Sequence, residues 1–384
     1  MWQTLEPDPV STGVWSSNLL SWAHVGHPLF MNWKVVVADM RRNPLMAATA
    51  VLSVAGLALS GCSIAAQQED AESKEKTVTI ITHDSFELTK EQVKKFETET
   101  GYKLKTTSPG DASSVVNQLI LAEGKASADG FYGVDNLQAG ALTEKGVVED
   151  YVPEKLPEAA KKLTNSDALT PIDQGQVCIN ADAGWFKKNK VDLPKSINDL
   201  TKPEYAKLLV AQDPAQSSPG FAFMVTTMHK TEDWKKAWED MLAGGTKVVS
   251  SWSNAYNTDF SGSEGKGKYP LVVSYSSSPA FEGGKTVNID DTCIDQVEYA
   301  GVLKNAKNPD GAKAFVDFML SEDMQNAIPE QMYMYPVNPD VKLPKDWAAH
   351  APLSKTSVTP DPSEIAQKRE EWIKQFRELS KNAK

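Results

Sequence analysis

The chain has 384 residues, 41% hydrophobic and 24% charged, with a net charge of −11. That length fills two lobes rather than one small core, and the composition is that of a globular protein. The acidic balance, with no basic block, excludes the usual nucleic-acid surface and mildly favours a cationic ligand over an anionic one.

Residues 1–39 carry Trp2, Trp15, Trp22 and Trp33 without clear periodicity, and read as an over-extended start ahead of Met40, a real cytoplasmic extension being the alternative. From Met40 the order is Arg41 and Arg42, an apolar stretch from Leu45 to Leu59, then Ser60, Gly61 and Cys62. Basic start, apolar core, small residues and cysteine are the parts of a lipoprotein signal, here 40–61. The stretch is too short and too rich in Ala, Ser and Gly for a spanning helix, which needs roughly 20 apolar residues. Small residues before Cys62 admit a peptidase, and the Cys62 thiol is expected to take lipid and become the mature N-terminus. The rest is then exported, extracytoplasmic or periplasmic, and anchored to the cell membrane. Residues 62–76, polar and free of aromatics, read as the lipidated cysteine and a flexible tether.

The folded part opens with the β-branched run Thr77–Thr82, a strand. Thr89 and Gln92 form a capping box for a helix with Val93 and Phe96 on one face. A strand fits Tyr102–Thr107. Asp111 caps a helix carrying Val115, Val116, Leu119 and Ala122 that ends at Gly124. A further strand leads to Gly133-Val134-Asp135-Asn136. This alternation predicts an α/β fold with a largely parallel sheet. A second α/β unit follows, with strands at 208–212, 247–250 and 270–275 and helices from Phe221 to His229 and Asp233 to Leu242. Asn308-Pro309 starts a helix burying Ala312, Phe315, Val316 and Met319. Asp361-Pro362-Ser363-Glu364 starts a last one with Ile365, Trp372, Phe376 and Leu379 on one face.

Besides Cys62 the chain has only Cys178 and Cys293. An even pair in an exported protein predicts one disulfide, two buried free thiols being the alternative. No CxxC, HExxH or clustered His/Cys motif points to a metal.

Ligands of open α/β sheets bind beyond the carboxyl ends of strands. Candidates there are His83, Asp84 and Ser85, then Asp135, Ser217 and Ser218, then Trp252 and Tyr256, then Tyr275, Ser276 and Ser277, and finally Tyr333 and Tyr335. Ser-Ser-Pro-Gly and Ser-Ser-Ser-Pro offer hydroxyls and amide N–H groups to an anion such as phosphate, or simply cap helices. The aromatic residues can stack on a planar or cationic ligand, or fill the core. Asp84 and Asp135 can pair with a positive charge, or serve turns and caps. Catalysis finds little support: no GxSxG elbow is present, and neighbours His83-Asp84-Ser85 on a strand point to opposite faces, which argues against a triad.

At Thr82–Phe86, Trp252–Tyr256, Ser274–Phe281, Gln325–Pro329 and Met334–Val337 the chain resembles the thiamine-binding proteins of bacterial ABC importers, over nearly all of Thr77–Leu379. The resemblance implies a two-lobed, type II periplasmic-binding-protein-like fold: lobe 1 from 77–175 and 291–345, lobe 2 from 176–290, and a C-terminal segment, 346–384, belonging to either lobe. It implies thiamine in the cleft, contacts from Trp252 and Tyr275, no catalysis, no cofactor, a monomer, and docking of the closed form on a membrane permease. His83 stands where the family usually has tyrosine, and Tyr333 where it has tryptophan. A protonated His83 would repel the thiazolium. Thiamine phosphates are a further ligand, for which Ser217, Ser218, Ser276 and Ser277 would serve. Rivals are a ferric-iron carrier using Tyr275 and Tyr256, a carrier of polyamines or aminophosphonates, and a thiamine-degrading enzyme with Cys178 as nucleophile.

Overall fold

The computed structural model describes residues 76–122, 125, 127–263 and 267–382, all within one unit, Leu59–Lys384. The extension 1–39, the signal 40–61, and Cys62 with its tether through Glu75 lie outside the described residues, as does Gly124.

Ten strands form one sheet: β1 (Thr77–Thr82), β2 (Lys103–Thr107), β3 (Gly130–Asp135), β4 (Val148–Glu149), β5 (Thr170–Asp182), β6 (Leu209–Gln212), β7 (Lys247–Val249), β8 (Leu271–Tyr275), β9 (Thr286–Leu303) and β10 (Tyr335–Pro336). The order is β2-β1-β3-β9-β5-β8-β6-β7, with β10 on β5 and β4 on β9. Each wing is parallel, β2-β1-β3 on one side and β8-β6-β7 on the other. The centre is antiparallel: β9 runs against β3 and β5, and β5 against β8. A largely parallel sheet therefore describes the wings and not the middle. The 18 residues of β9 are broken by Asn288, Asp290, Asp291, Asp295 and Gln296, so its sequence lacks a strand's apolar alternation. The polar side chains find partners instead. Asn180 Nδ2 donates to Asn288 Oδ1 at 3.1 Å, and Gln176 Nε2 to Asp295 Oδ1 at 3.0 Å.

Helix α1 (Lys90–Thr100) has the expected capping box, Gln92 N to Thr89 Oγ1 at 3.2 Å and Thr89 N to Gln92 Oε1 at 2.8 Å. It stops at Gly101, whose φ of +74° suits glycine. Helix α2 (Ala112–Leu121) starts on Asp111. A short α3 (Ala139–Glu144) follows β3. Helix α4 (Ser218–Lys230) begins three residues before Phe221, with Pro219 in its first turn. Asp233 caps α5 (Trp234–Ala243). Helix α6 (Pro309–Met319) buries Ala312, Phe315, Val316 and Met319 as its spacing requires. Helices α7 (Glu322–Gln331) and α8 (Pro362–Asn382) complete the set that matters to the site.

Ile80 and Ile81 point to opposite faces of β1 and seed two cores. One holds Val78, Phe96, Tyr132 and Phe315; the other holds Val115, Phe131, Leu142 and Tyr299. The second half has its own core around Ile179, Phe221, Phe223 and Val273. There Trp238 packs edge-on against Phe223 and Phe376 and donates its indole N–H to Thr227 at 3.1 Å. Helix α8 contributes Phe376 to this core yet also crosses α3, where a Cβ on Gly140 would lie 3.1 Å from Ala366. Its buried Arg369 donates to Gln138 at 2.9 Å and lies over the Phe221 ring. The last helix thus touches both halves.

A disulfide joins Cys178 on β5 to Cys293 on β9. The ladder shifts register there, and the N–H of Ile179 turns to Thr292 Oγ1 at 2.9 Å. The bridge spans 115 residues, a long loop to constrain in the unfolded chain. Replacing both cysteines by alanine is expected to lower stability by about 2–5 kcal/mol, read from the denaturant midpoint. An unchanged midpoint would remove the bridge from the account of stability.

Candidate functional site

Two cavities meet where the halves face each other. The outer one, about 980 Å³, is lined among others by Asp84, Ser85, Trp252, Tyr256, Phe281, Glu282 and Tyr333. The inner one is about 70 Å³, bounded by His83, Asp111, Ser218, Tyr275, Glu298 and Met334 among others. The outer space is large enough for a small organic ligand, and the inner one opens beside it as a narrow recess that shares Asp84, Ser85, Trp252 and Tyr333 with it.

Trp252 forms the aromatic wall. It stacks on Tyr256 at 4.9 Å and 15°, and meets Tyr275 at 5.9 Å. Its indole N–H donates to Ser274 Oγ at 2.9 Å, which fixes the ring. The backbone below it makes a π-type turn, Phe260 N–H to Ala255 O at 2.9 Å, a local geometry that recurs at functional sites. Phe281 and Tyr333 pair at 4.3 Å beside the outer cavity, and Tyr333 takes φ +54° to get there.

Asp111 does more than cap α2. Its Oδ1 accepts the N–H of Ala112 at 2.6 Å and of Ser218 at 3.0 Å, and its Oδ2 that of Trp252 at 3.1 Å. The last two donors belong to the other half. Ser85 Oγ meets Ser253 Oγ at 3.3 Å, and Asn117 donates to Ala215 O at 3.4 Å. These bonds hold the halves together.

Carboxylates dominate the floor. Burial raises the Asp111 pKa, while the Ser218 N–H and other donors pull it back. Behind it Asp135 is fully buried, accepting from the Ser218 hydroxyl and from Leu137 N–H at 2.9 Å. Burial pushes its carboxyl up to about 6; the Ser218 bond opposes this and the charge of Glu298 adds to it. Asp173 accepts from Tyr132 Oη at 2.5 Å, and its pKa is raised by burial and then by Glu298. His83 Nε2 lies 3.7 Å from Glu298 Oε2.

Of the residues expected at the site, His83, Asp84, Ser85, Ser218, Trp252, Tyr256, Tyr275 and Tyr333 line these cavities. Asp135, Ser217, Ser276, Ser277 and Tyr335 do not. Asp135 sits behind Ser218 and positions it. Ser217 is fully buried and makes no side-chain cap. Ser276 is buried, its N–H on Gln176 O, and the Ser277 hydroxyl donates to the Tyr333 carbonyl. The Tyr335 hydroxyl donates to Ala351 O and its ring packs on Trp347 at 4.7 Å. Of the four serines assigned to phosphate, only Ser218 faces the cleft. Sequence reasoning read Asp111 as a cap alone and missed Glu298, Phe281, Glu282 and Met334. Glu298 lies on the unrecognised β9, between Val297 and Tyr299, where strand period puts it on the opposite face from both.

Among the described residues no three His, Cys, Asp or Glu side chains converge on a metal-sized point, and no helix is long and apolar enough to cross a membrane. The Cys178 sulfur is spent in the disulfide, which leaves no thiolate there for a nucleophile.

A sheet crossed by two long strands, with a ligand-sized cleft between its halves, defines a two-lobed binding protein. Residues 126–356 match the family described as bacterial extracellular solute-binding protein, and the chain belongs to that family. It is 31% identical to a thiamine-binding periplasmic protein of Salmonella typhimurium over 78% of this chain and 92% of the relative. A solved periplasmic thiamin binding protein superposes with a TM-score of 0.69 at 28% identity, covering 79% of this chain and 96% of that one. A weaker likeness, 23% identity over 84% of this chain and 93% of the relative, reaches iron uptake protein A1 of Synechocystis.

Folding raises the Asp135 pKa from an unfolded value of about 3.9 to about 6, so the folded protein holds this proton more tightly than the unfolded chain. Its contribution is most favourable at acid pH and declines as pH rises from about 4 to about 6. Asp135→Asn, which never ionises, is expected to gain on wild type across that window, to about 2–3 kcal/mol at pH 7. Urea unfolding at several pH values measures the gap, and a gap independent of pH would contradict this account.

Proposed function

We propose that this protein is a lipid-anchored extracytoplasmic carrier that captures thiamine as a monomer and hands it to the permease of an ABC importer. The observation that carries the reading is the pairing of an aromatic wall with an acidic floor. Trp252, Tyr256 and Tyr275 line the two adjoining cavities together with Asp84, Asp111 and Glu298, and the cations lining them are Lys285 and, when protonated, His83. Thiamine is a flat aminopyrimidine joined to a cationic thiazolium. Flat rings stack on the wall, and the positive ring gains cation–π and carboxylate attraction in a place shielded from water. The thiamine-binding relatives support the same cargo. The ligand enters an open form, and closure follows because the ligand contacts both halves. No bond in it is made or broken, and no cofactor is invoked. Export and the lipid on Cys62 rest on the signal order at 40–62.

Free thiamine is favoured over its phosphates. The amide donors of Ser218 and Trp252 that would greet a phosphate are taken by the Asp111 carboxylate, which a second anion would have to displace. Ferric iron is disfavoured, since the iron-uptake relative is less similar to this chain than the thiamine-binding ones and the Tyr256 hydroxyl is already donated to Glu282 at 3.0 Å.

Titration calorimetry of the purified protein with thiamine is expected to give one tight site. Trp252→Ala and Tyr275→Ala are each expected to weaken it about tenfold or more, since one stacked cation contributes roughly 0.5–2 kcal/mol and buried ring area adds to it. No heat of binding from well-folded protein would end the thiamine assignment, and a visible charge-transfer band with ferric iron would replace it.

A further inference from the structure

His83 and Glu298 face each other across the inner chamber, and nothing in thiamine capture by itself requires a histidine there. The imidazole Nε2 is buried without a hydrogen-bond partner, 3.7 Å from Glu298 Oε2. The ring cannot retreat toward β3: Gly133, with φ +85°, leaves so little room that a Cβ there would lie 2.0 Å from His83 Cδ2. Every charged group facing it is acidic. Asp84 comes from its own segment, Asp111 from the cap of α2 and Glu298 from β9, while β3 presents the neutral Tyr132 ring at 5.7 Å. Tyr132 in turn holds Asp173 of β5, and Tyr275 of β8 lines the same chamber. Burial works against the charged imidazole, but Glu298, then Asp111 and Asp84, outweigh it and raise the pKa above its ordinary value.

We propose that His83 is the built-in counter-ion of this chamber: an arriving ligand cation takes over Glu298, and the imidazolium of His83 gives up its proton to solvent. One positive charge replaces another beside Glu298, so the chamber never holds two cations side by side, an arrangement that low dielectric makes unfavourable. The inference rests on the thiamine reading for the identity of the cation. It makes His83 a determinant of charge selectivity. Between the pKa of His83 in the free protein and its lower value beside the bound cation, each ligand bound expels up to one proton. Affinity there rises with pH, by as much as tenfold per unit.

Calorimetry of the full chain with thiamine, from pH 6 to 8 in buffers of different ionisation enthalpy, counts that proton. Wild type is expected to release a proton fraction approaching one at its maximum. His83→Gln is expected to release none and to bind with an affinity flat over this range. Glu298→Gln is expected to lose the release and to bind more weakly. Binding by wild type without proton release overturns the inference and leaves the thiamine reading intact. Release retained in His83→Gln also overturns it, and places the proton on Asp111 or Asp135. No binding at any pH overturns both.

Discussion

One buried carboxylate organises the cleft. Asp111 accepts three backbone N–H groups, one from its own helix and two from the opposite half. A buried charge is tolerated only where such donors surround it, and hydrogen bonds to a charged acceptor are about twice as strong as neutral ones. The first turn of α4 and the turn carrying Trp252 are therefore placed by the same side chain that starts α2. The aromatic wall stands where it does because its backbone is tied across the cleft.

Behind this clasp the acidic floor is graded by burial. Asp135 holds the Ser218 hydroxyl, and Asp173 holds Tyr132. These carboxyls do not touch the cavities, and burial, which raises the pKa of both, favours their neutral forms. Under the proposed reading the acidic floor favours a cation over an anion and the flat rings beside it favour a planar group. The bonds that tie the halves together run beside those same residues.

The helices that were legible in the sequence carry their own local signals. Thr89 with Gln92, and Asp233, cap their helices without tertiary help, and Pro309 suits a first turn; all three mark helix starts in the structure, although the Asn308 side chain donates to Thr77 O instead of capping. Strand β9 was not legible, because its polar residues are satisfied by partners on β5 and near β8 that no local pattern reveals. With β9 went Glu298. Serine-rich turns misled in the other direction: Ser217, Ser276 and Ser277 have the chemistry of an anion site but are turned into the packing. Trp252, Tyr256 and Tyr275, singled out as aromatics at or beyond strand ends, do line the cavities.

The sheet order has a consequence for how the chain reaches this shape. Strand β9 lies between β3 and β5, so the first half lacks its neighbour until residue 303 has emerged. A chain appearing N-terminus first leaves β3 with an unpaired edge for more than half its described length, and then closes the gap by a contact between distant segments. Such non-local pairing is slow. Until that late strand arrives, the cores that contain Ala300, Val302, Val297 and Tyr299 are unfinished.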